Sequence, residues 1–202
     1  MVITMRFIDI SCDALTANVY PGDRKPVIEI MKNMADGDDY NLSAVSMSSH
    51  CGTHMDAPLH FISDGNPIDK LDISSFIGEC IVISANGLIT GEWVDKNVDE
   101  STQRLIINGD ENTFLMANAA YELAQTNVKL VGINQMSIGC EGSESEVHTA
   151  LLNENIAIVE SLNLCGVSDG KYFLVAPPLK FVGAEAAPVR AILIDDYIFW
   201  SK

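Results

Sequence analysis

Short apolar runs broken by Gly, Pro, Asn and Asp dominate the chain. Their length and their content of Val and Ile predict strands over 6–10, 27–31, 42–47, 80–85, 105–107, 129–133, 156–159, 172–176 and 191–194. Two segments change period. Residues 113–125 and 144–153 carry helix formers at a spacing of roughly 3.6 residues, with Asn112 or Thr113 and Ser143 as candidate N-caps, and a weaker helix is expected to start at Thr90. The turn signals "YPGD" at 20–23 and "SDGNP" at 63–67 punctuate the pattern, and the two prolines of "APPLKF" at 176–181 mark a strand exit or loop. With no linker, repeat or low-complexity tract in view, the expectation is one α/β domain of predominantly β character spanning 1–202.

Composition narrows the partners. A chain of 202 residues with 48% hydrophobic content can bury a sizeable core. Its formal charge of −16 repels phosphate backbones and anionic lipid, so neither nucleic acid nor a membrane surface is an expected partner. Cys12, Cys51, Cys80, Cys140 and Cys165 are odd in number, with no CxxC pair, which suggests neither a disulfide framework nor a thiolate zinc site. No segment approaches the roughly 18 continuous apolar residues of a membrane span, and nothing at the N-terminus reads as a secretion signal. A cytoplasmic protein is expected.

The chemistry is concentrated in "HCGTHMDAPLH" at 50–60, which holds three of the four histidines. His50 and His54 have helical i, i+4 spacing, but Gly52 between them and Pro58 after them argue for a loop. Fully extended, the two Cα atoms would lie about 13 Å apart. Imidazoles that share one metal at about 2.1 Å must converge, so the backbone has to bend, and Gly52 is where it can. On this reading His50, His54 and Asp56 turn inward as a zinc- or manganese-type ligand set that leaves a coordination position for water. His60 is then a spare imidazole suited to proton transfer near neutrality. Taken singly, each histidine is more often a surface or hydrogen-bonded side chain; three beside an aspartate favour the ligand reading. Cys51, with no basic partner in view, reads as a structural thiol rather than a nucleophile.

The stretch "HCGTHMDAPLHF" resembles the HxGTHxDxPxHF signature of the cyclase family, whose best known members are bacterial kynurenine formamidases. The similarity extends through "IDIS" at 8–11, "YPGD", "VKLVGIN" at 128–134, "APPLKF" and "APVRAIL" at 187–193. It implies a swivelling β/β/α fold and a centre of one or two divalent ions, zinc first and manganese second. A later histidine and glutamate complete that centre in the family, and they correspond here to His148 in "SEVHTALL" and Glu160 in "IAIVESLNL". By resemblance, His50, His54 and Asp56 hold one ion, and Asp56 bridges to a second held with His148 and Glu160.

Two departures concern the substrate. Tyr20 stands where family formamidases carry a tryptophan that packs on an aromatic substrate, and Asn134 replaces a common aspartate. Tyr20 can still stack. The implied activity is hydrolysis of an N-formyl or cyclic amide, with His60 carrying the proton and Arg190 or Lys180 as possible contacts for an acidic group. An enzyme that opens a lactam, similar to isatin hydrolases, and a non-catalytic metal-binding relative are the alternatives. A homo-oligomer, dimer or tetramer, is expected from the resemblance alone.

Overall fold

A computed structural model describes residues 5–196. Its centre is a curled, mixed sheet built from β1 (Arg6–Asp9), β4 (His54–Asp56), β5 (Ile77–Ala85), β6 (Arg104–Gly109), β7 (Leu130–Ile133), β8 (Ala157–Glu160), β9 (Gly170–Val175), β10 (Ala186–Pro188) and β11 (Ile192–Asp195). The spatial order is β1-β11-β9-β5-β6-β7-β8-β4-β10. The run β5 to β8 is parallel, and the remaining neighbours pair antiparallel.

Parallel neighbours need crossover connections, and three helices supply them: α2 (Gly91–Asn97), α3 (Ala117–Leu123) and α4 (Glu144–Asn153). A short helix α1 (Ile73–Phe76) precedes β5. Helices cover one face of the sheet and the curl closes the other. Strands β7 and β8 are consequently buried along their whole length, which is why they read as unbroken apolar runs. Ile106, Leu130, Val159, Leu174 and Leu193 fill the closed side. Leu105, Ile107, Val131 and Ile158 pack against Ala119, Leu123, Val147 and Leu151 of the helices.

Where the structure departs from the pattern, a backbone requirement decides. The helix expected over 113–125 begins only at Ala117, because residues 114–116 are drawn out between two other segments. The Phe114 carbonyl accepts from Ile89, Leu115 donates to Ile138, and Met116 donates to Ile89. Strands β4 and β10 escape a periodicity reading because each has three residues and neither is rich in β-branched side chains. Thus His54 to Asp56, expected in a loop, forms a strand, while residues 50–53 do not.

The strands β2 (Val27–Lys32) and β3 (Leu42–Ser46) stand apart as a two-stranded antiparallel ribbon with a bulge between Ile30 and Lys32. Among the described residues no helix is long and apolar enough to cross a membrane.

Candidate metal centre

Strand periodicity assembles the first three donors. His54 and Asp56 are two residues apart on β4 and so share a face, and the antiparallel register sets Glu160, the last residue of β8, directly opposite His54. That face is the one α4 covers. Helix α4 runs into β8 through a turn at Glu154–Asn155 and presents His148 from its middle. The helix-to-strand unit thereby brings together two residues twelve positions apart: His148 Nε2 lies 3.1 Å from a Glu160 oxygen.

His50 arrives from the loop. Gly52 has φ +63°, and a Cβ there would meet the Ala14 backbone at 2.6 Å, so the bend between the two imidazoles requires glycine. Thr53 fastens the bend, its hydroxyl accepting from the Cys12 amide and donating to the Ser161 carbonyl. His60 closes a short turn, Pro58–His60, with its ring centroid 4.4 Å from that of His50. All four histidines and both carboxylates singled out in the sequence meet in one place.

Asp56 tests whether that place suits a cation. Its carboxylate is fully buried and neither oxygen accepts a hydrogen bond. Around it, at separations not aligned as hydrogen bonds, stand His50 Nδ1 at 3.1 Å, His54 Nε2 at 3.5 Å and His148 Nε2 at 3.6 Å. A buried carboxylate that accepts no hydrogen bond is costly, and imidazoles gathered around it in this way fit a divalent cation. One oxygen or nitrogen from each of His54, Asp56 and Glu160 lies within 4.8 Å of the others, and so does one from each of His50, Asp56 and His60. The geometry thus allows two adjoining positions that share Asp56. In this grouping His54 falls with Glu160 rather than with His50, and His60 lies within ligand reach.

Fixed acceptors orient the rings. His54 Nδ1 lies 3.0 Å from the Gly52 carbonyl and His148 Nδ1 lies 2.7 Å from the Glu144 carbonyl, which turns both Nε2 atoms toward the carboxylates. His50 shows a third version of this arrangement. Its Nδ1 faces Asp56, while its Nε2 lies 3.4 Å from Glu185, whose carboxylate also accepts from Ser49. Sequence reasoning missed Glu185. The available signal was a lone charge inside the apolar run "GAEAAPV", the same kind of signal that Glu160 gives.

The electrostatics follow from burial and charge pairing. Burial alone lowers the His54 and His148 pKa values, but Asp56 and Glu160 outweigh it and raise them to about 9 and about 10. Burial pushes Asp56 up, yet His148, His50 and His54 hold it well below the usual carboxylate range. For His60 burial is the largest effect and keeps the imidazole below its ordinary value.

A cavity of about 320 Å³ opens onto the cluster, lined among others by Tyr20, Asp23, Phe61, Met136 and Glu144, with no lysine or arginine among the described residues of its wall. Tyr20 lies at this wall, its hydroxyl donating to Glu144 at 2.8 Å. Arg190 is engaged elsewhere, paired with Asp9, and like Lys180 it is absent from the lining. Asn134 also serves another purpose: its amide donates to the Gly109 carbonyl and accepts from the Gly109 amide, a two-way bond that an aspartate could not make. Cys51 is buried, with its thiol 3.8 Å from the Arg24 carbonyl. All five cysteines are free.

Comparison with known proteins places the chain among relatives. The profile of the family described as "Putative cyclase" matches residues 8–139. A kynurenine formamidase of Delftia acidovorans is 36% identical over 205 residues, covering 95% of this chain and 98% of its own. One from Bacillus anthracis is 32% identical, covering 94% and 98%. A solved structure described as a potential metal-dependent hydrolase with cyclase activity superposes with a TM-score of 0.78 at 27% identity, covering 95% of this chain and 98% of that one. Isatin hydrolase A from Labrenzia aggregata shares the fold with a TM-score of 0.82 at 18% identity, covering 96% and 94%.

Proposed function

The chain belongs to the cyclase family, and we propose that it is a metal-dependent amide hydrolase of the kynurenine formamidase kind, one catalytic domain over 1–202 that cleaves an N-formyl aryl amide. The observation that carries this reading is the buried Asp56 carboxylate, without a hydrogen bond and ringed by three imidazoles. Identity of 32–36% to formamidases over nearly the whole chain supplies the substrate class.

His50, His54, Asp56, His148 and Glu160 would hold the divalent cation, zinc before manganese. When bound it supplies Lewis acidity, which polarises a carbonyl and makes a water more acidic. The remaining work falls to the chain. His60, at the cavity wall beside the cluster, accepts a proton from the attacking water on its ring nitrogen and returns it to the departing amine nitrogen, so that formamide and water become formate and amine. Phe61, stacked on His148 at 4.5 Å, shields that side of the cluster. Tyr20 and Met136 offer the walls against which an aryl group packs. The family resemblance adds a homo-oligomeric state.

A panel of N-formylkynurenine, simple formanilides and isatin, run with protein of measured zinc and manganese content, tests the assignment. Chelator-sensitive hydrolysis of the formamides is expected. Preference for isatin would move the protein to the lactam-opening alternative, and bound metal with no turnover of any amide would leave a non-catalytic metal binder.

A further inference from the structure

Outside the metal cluster, the wall of the cavity is acidic. It includes Tyr20, Asp23, Met136, Ser137 and Glu144, and no lysine or arginine among the described residues stands with the two carboxylates. Both are held in place. Tyr20 donates its hydroxyl to Glu144, at 2.8 Å and 2.9 Å from the two oxygens, and Ser48 donates to Asp23 at 2.9 Å. Glu144 is fixed through its main chain as well, because its carbonyl lies 2.7 Å from His148 Nδ1. The charges of Glu141 and Glu160 also reach the Tyr20 hydroxyl; with Glu144, whose hydrogen bond has the largest effect, they raise the phenol above its ordinary value and keep it a donor. A carboxylate can accept about four hydrogen bonds, so one phenol and one serine leave most of that capacity unused.

A ligand that fills a space of about 320 Å³ displaces water from these carboxylates, and a carboxylate stripped of water needs a donor or a positive charge. An alkyl group supplies neither, and a second carboxylate adds repulsion. An ammonium supplies both. We propose that Glu144, steadied by Tyr20 and assisted by Asp23, receives a positively charged amino group of the substrate, so that the preferred amides are those whose side chain carries an ammonium. This rests on the formamidase reading above and adds the charge of the group remote from the scissile bond.

The two ends of such a substrate meet one continuous wall. His50, His54 and His148, which surround the fully buried Asp56 carboxylate that accepts no hydrogen bond, line the same cavity as Asp23 and Glu144. The volume is at the small end of ligand pockets, enough for one aromatic ring and a short side chain, so an amide placed at the cluster has little room to keep its substituent away from the acidic wall. Overall charge is the rival cause, since a chain of −16 attracts cations everywhere. Glu146 separates the two. It lies two residues further along α4, bonded to Tyr121 at 3.2 Å and outside the cavity lining.

Three formanilides of one shape test the proposal, with an ortho side chain ending in an ammonium, a methyl or a carboxylate group, each assayed with metal-loaded wild type. The ammonium compound is expected to exceed the methyl compound by about 10- to 100-fold in kcat/KM, the size of a charge-assisted hydrogen bond, and the carboxylate compound should be the poorest. Glu144→Gln keeps the shape and an acceptor for Tyr20 while removing the charge. It should cut the ammonium-to-methyl ratio by about tenfold, Asp23→Asn should cut it by less, and Glu146→Gln should leave it where it is. Calorimetric binding of the three product anilines reads the same preference without turnover. Formamides hydrolysed with no preference for the ammonium, or a preference that survives Glu144→Gln combined with Asp23→Asn, overturn the assignment. A preference weakened equally by Glu146→Gln overturns it in favour of overall charge. If no formamide is hydrolysed, the formamidase reading falls and binding alone decides this one: ammonium-selective binding that is lost in Glu144→Gln upholds it, and indifferent binding overturns it.

Discussion

Residues 27–46 and 50–60 are neighbours in the chain and opposites in placement. The first stretch leaves large apolar side chains such as Ile28, Ile30 and Val45 in water; the second carries three histidines and an aspartate, and His54 and Asp56 are almost wholly buried. Ordinary burial preferences would reverse the two. For the inward-facing donors the arrangement makes sense when a cation completes them, whereas the outward-facing apolar side chains are left uncovered by the single chain. The three residues that join them, Met47, Ser48 and Ser49, tie the two together.

Asp56 offers the sharpest break in that comparison. Asp56→Asn keeps the shape and removes the charge at the centre of the cluster. Metal should be lost on gel filtration, and turnover should fall by at least about 10⁴-fold, the several kcal/mol that a Lewis acid contributes. Elemental analysis and formamide hydrolysis read both. A variant that kept metal and rate would make the cluster a structural polar network instead.

His60→Ala separates binding from chemistry. A loss of about 10² to 10⁴ in kcat with metal content unchanged is expected of a proton carrier. Loss of one ion from the same variant would instead place His60 among the ligands, a role its position beside His50 and Asp56 allows.

How far these features were legible in the sequence depends on their range. Long apolar strands and α4 could be read because periodicity is local, and α4 falls on the expected residues. The bend at Gly52 followed from chain geometry alone. Strand β4 was hidden because three residues carry no period; its pairing with β8 and β10 comes from elsewhere in the chain. Glu185 left only a lone charge in an apolar run as its signal, and its partner was not readable, since the β10–β4 pairing that sets residue 185 beside Ala57 and the bend that returns His50 to it are both long-range. The ribbon was correctly read as two strands, but its solvation was not readable, because alternation predicts which residues share a face and says nothing of what covers that face.

Glu185 accordingly offers a subtler way to sharpen the comparison. Its carboxylate holds the outer nitrogen of His50, as backbone carbonyls hold those of His54 and His148. Glu185→Ala should weaken zinc affinity by about 10- to 100-fold, read by competition with a chromophoric chelator, and Glu185→Gln should fall between the two. An unchanged affinity would mean that Ser49 and the Gly52 bend fix His50 unaided.

The smallest expected effect concerns the metal-free protein. His54 and His148 are raised to about 9 and about 10 from an ordinary 6.5, so their protonation favours the folded chain. That stabilisation is complete below pH 6.5 and disappears as pH rises through 9 to 10. Chelator-treated protein should therefore melt lower at pH 10 than at pH 7, by about 4–8 °C if some 2 kcal/mol is lost. With metal bound, both imidazoles have already given up those protons, and the same rise in pH should leave Tm nearly level while metal affinity improves over the same range. A metal-free Tm that stayed flat would mean the two rings are neutral in the folded chain and that Asp56 and Glu160 are balanced by other means.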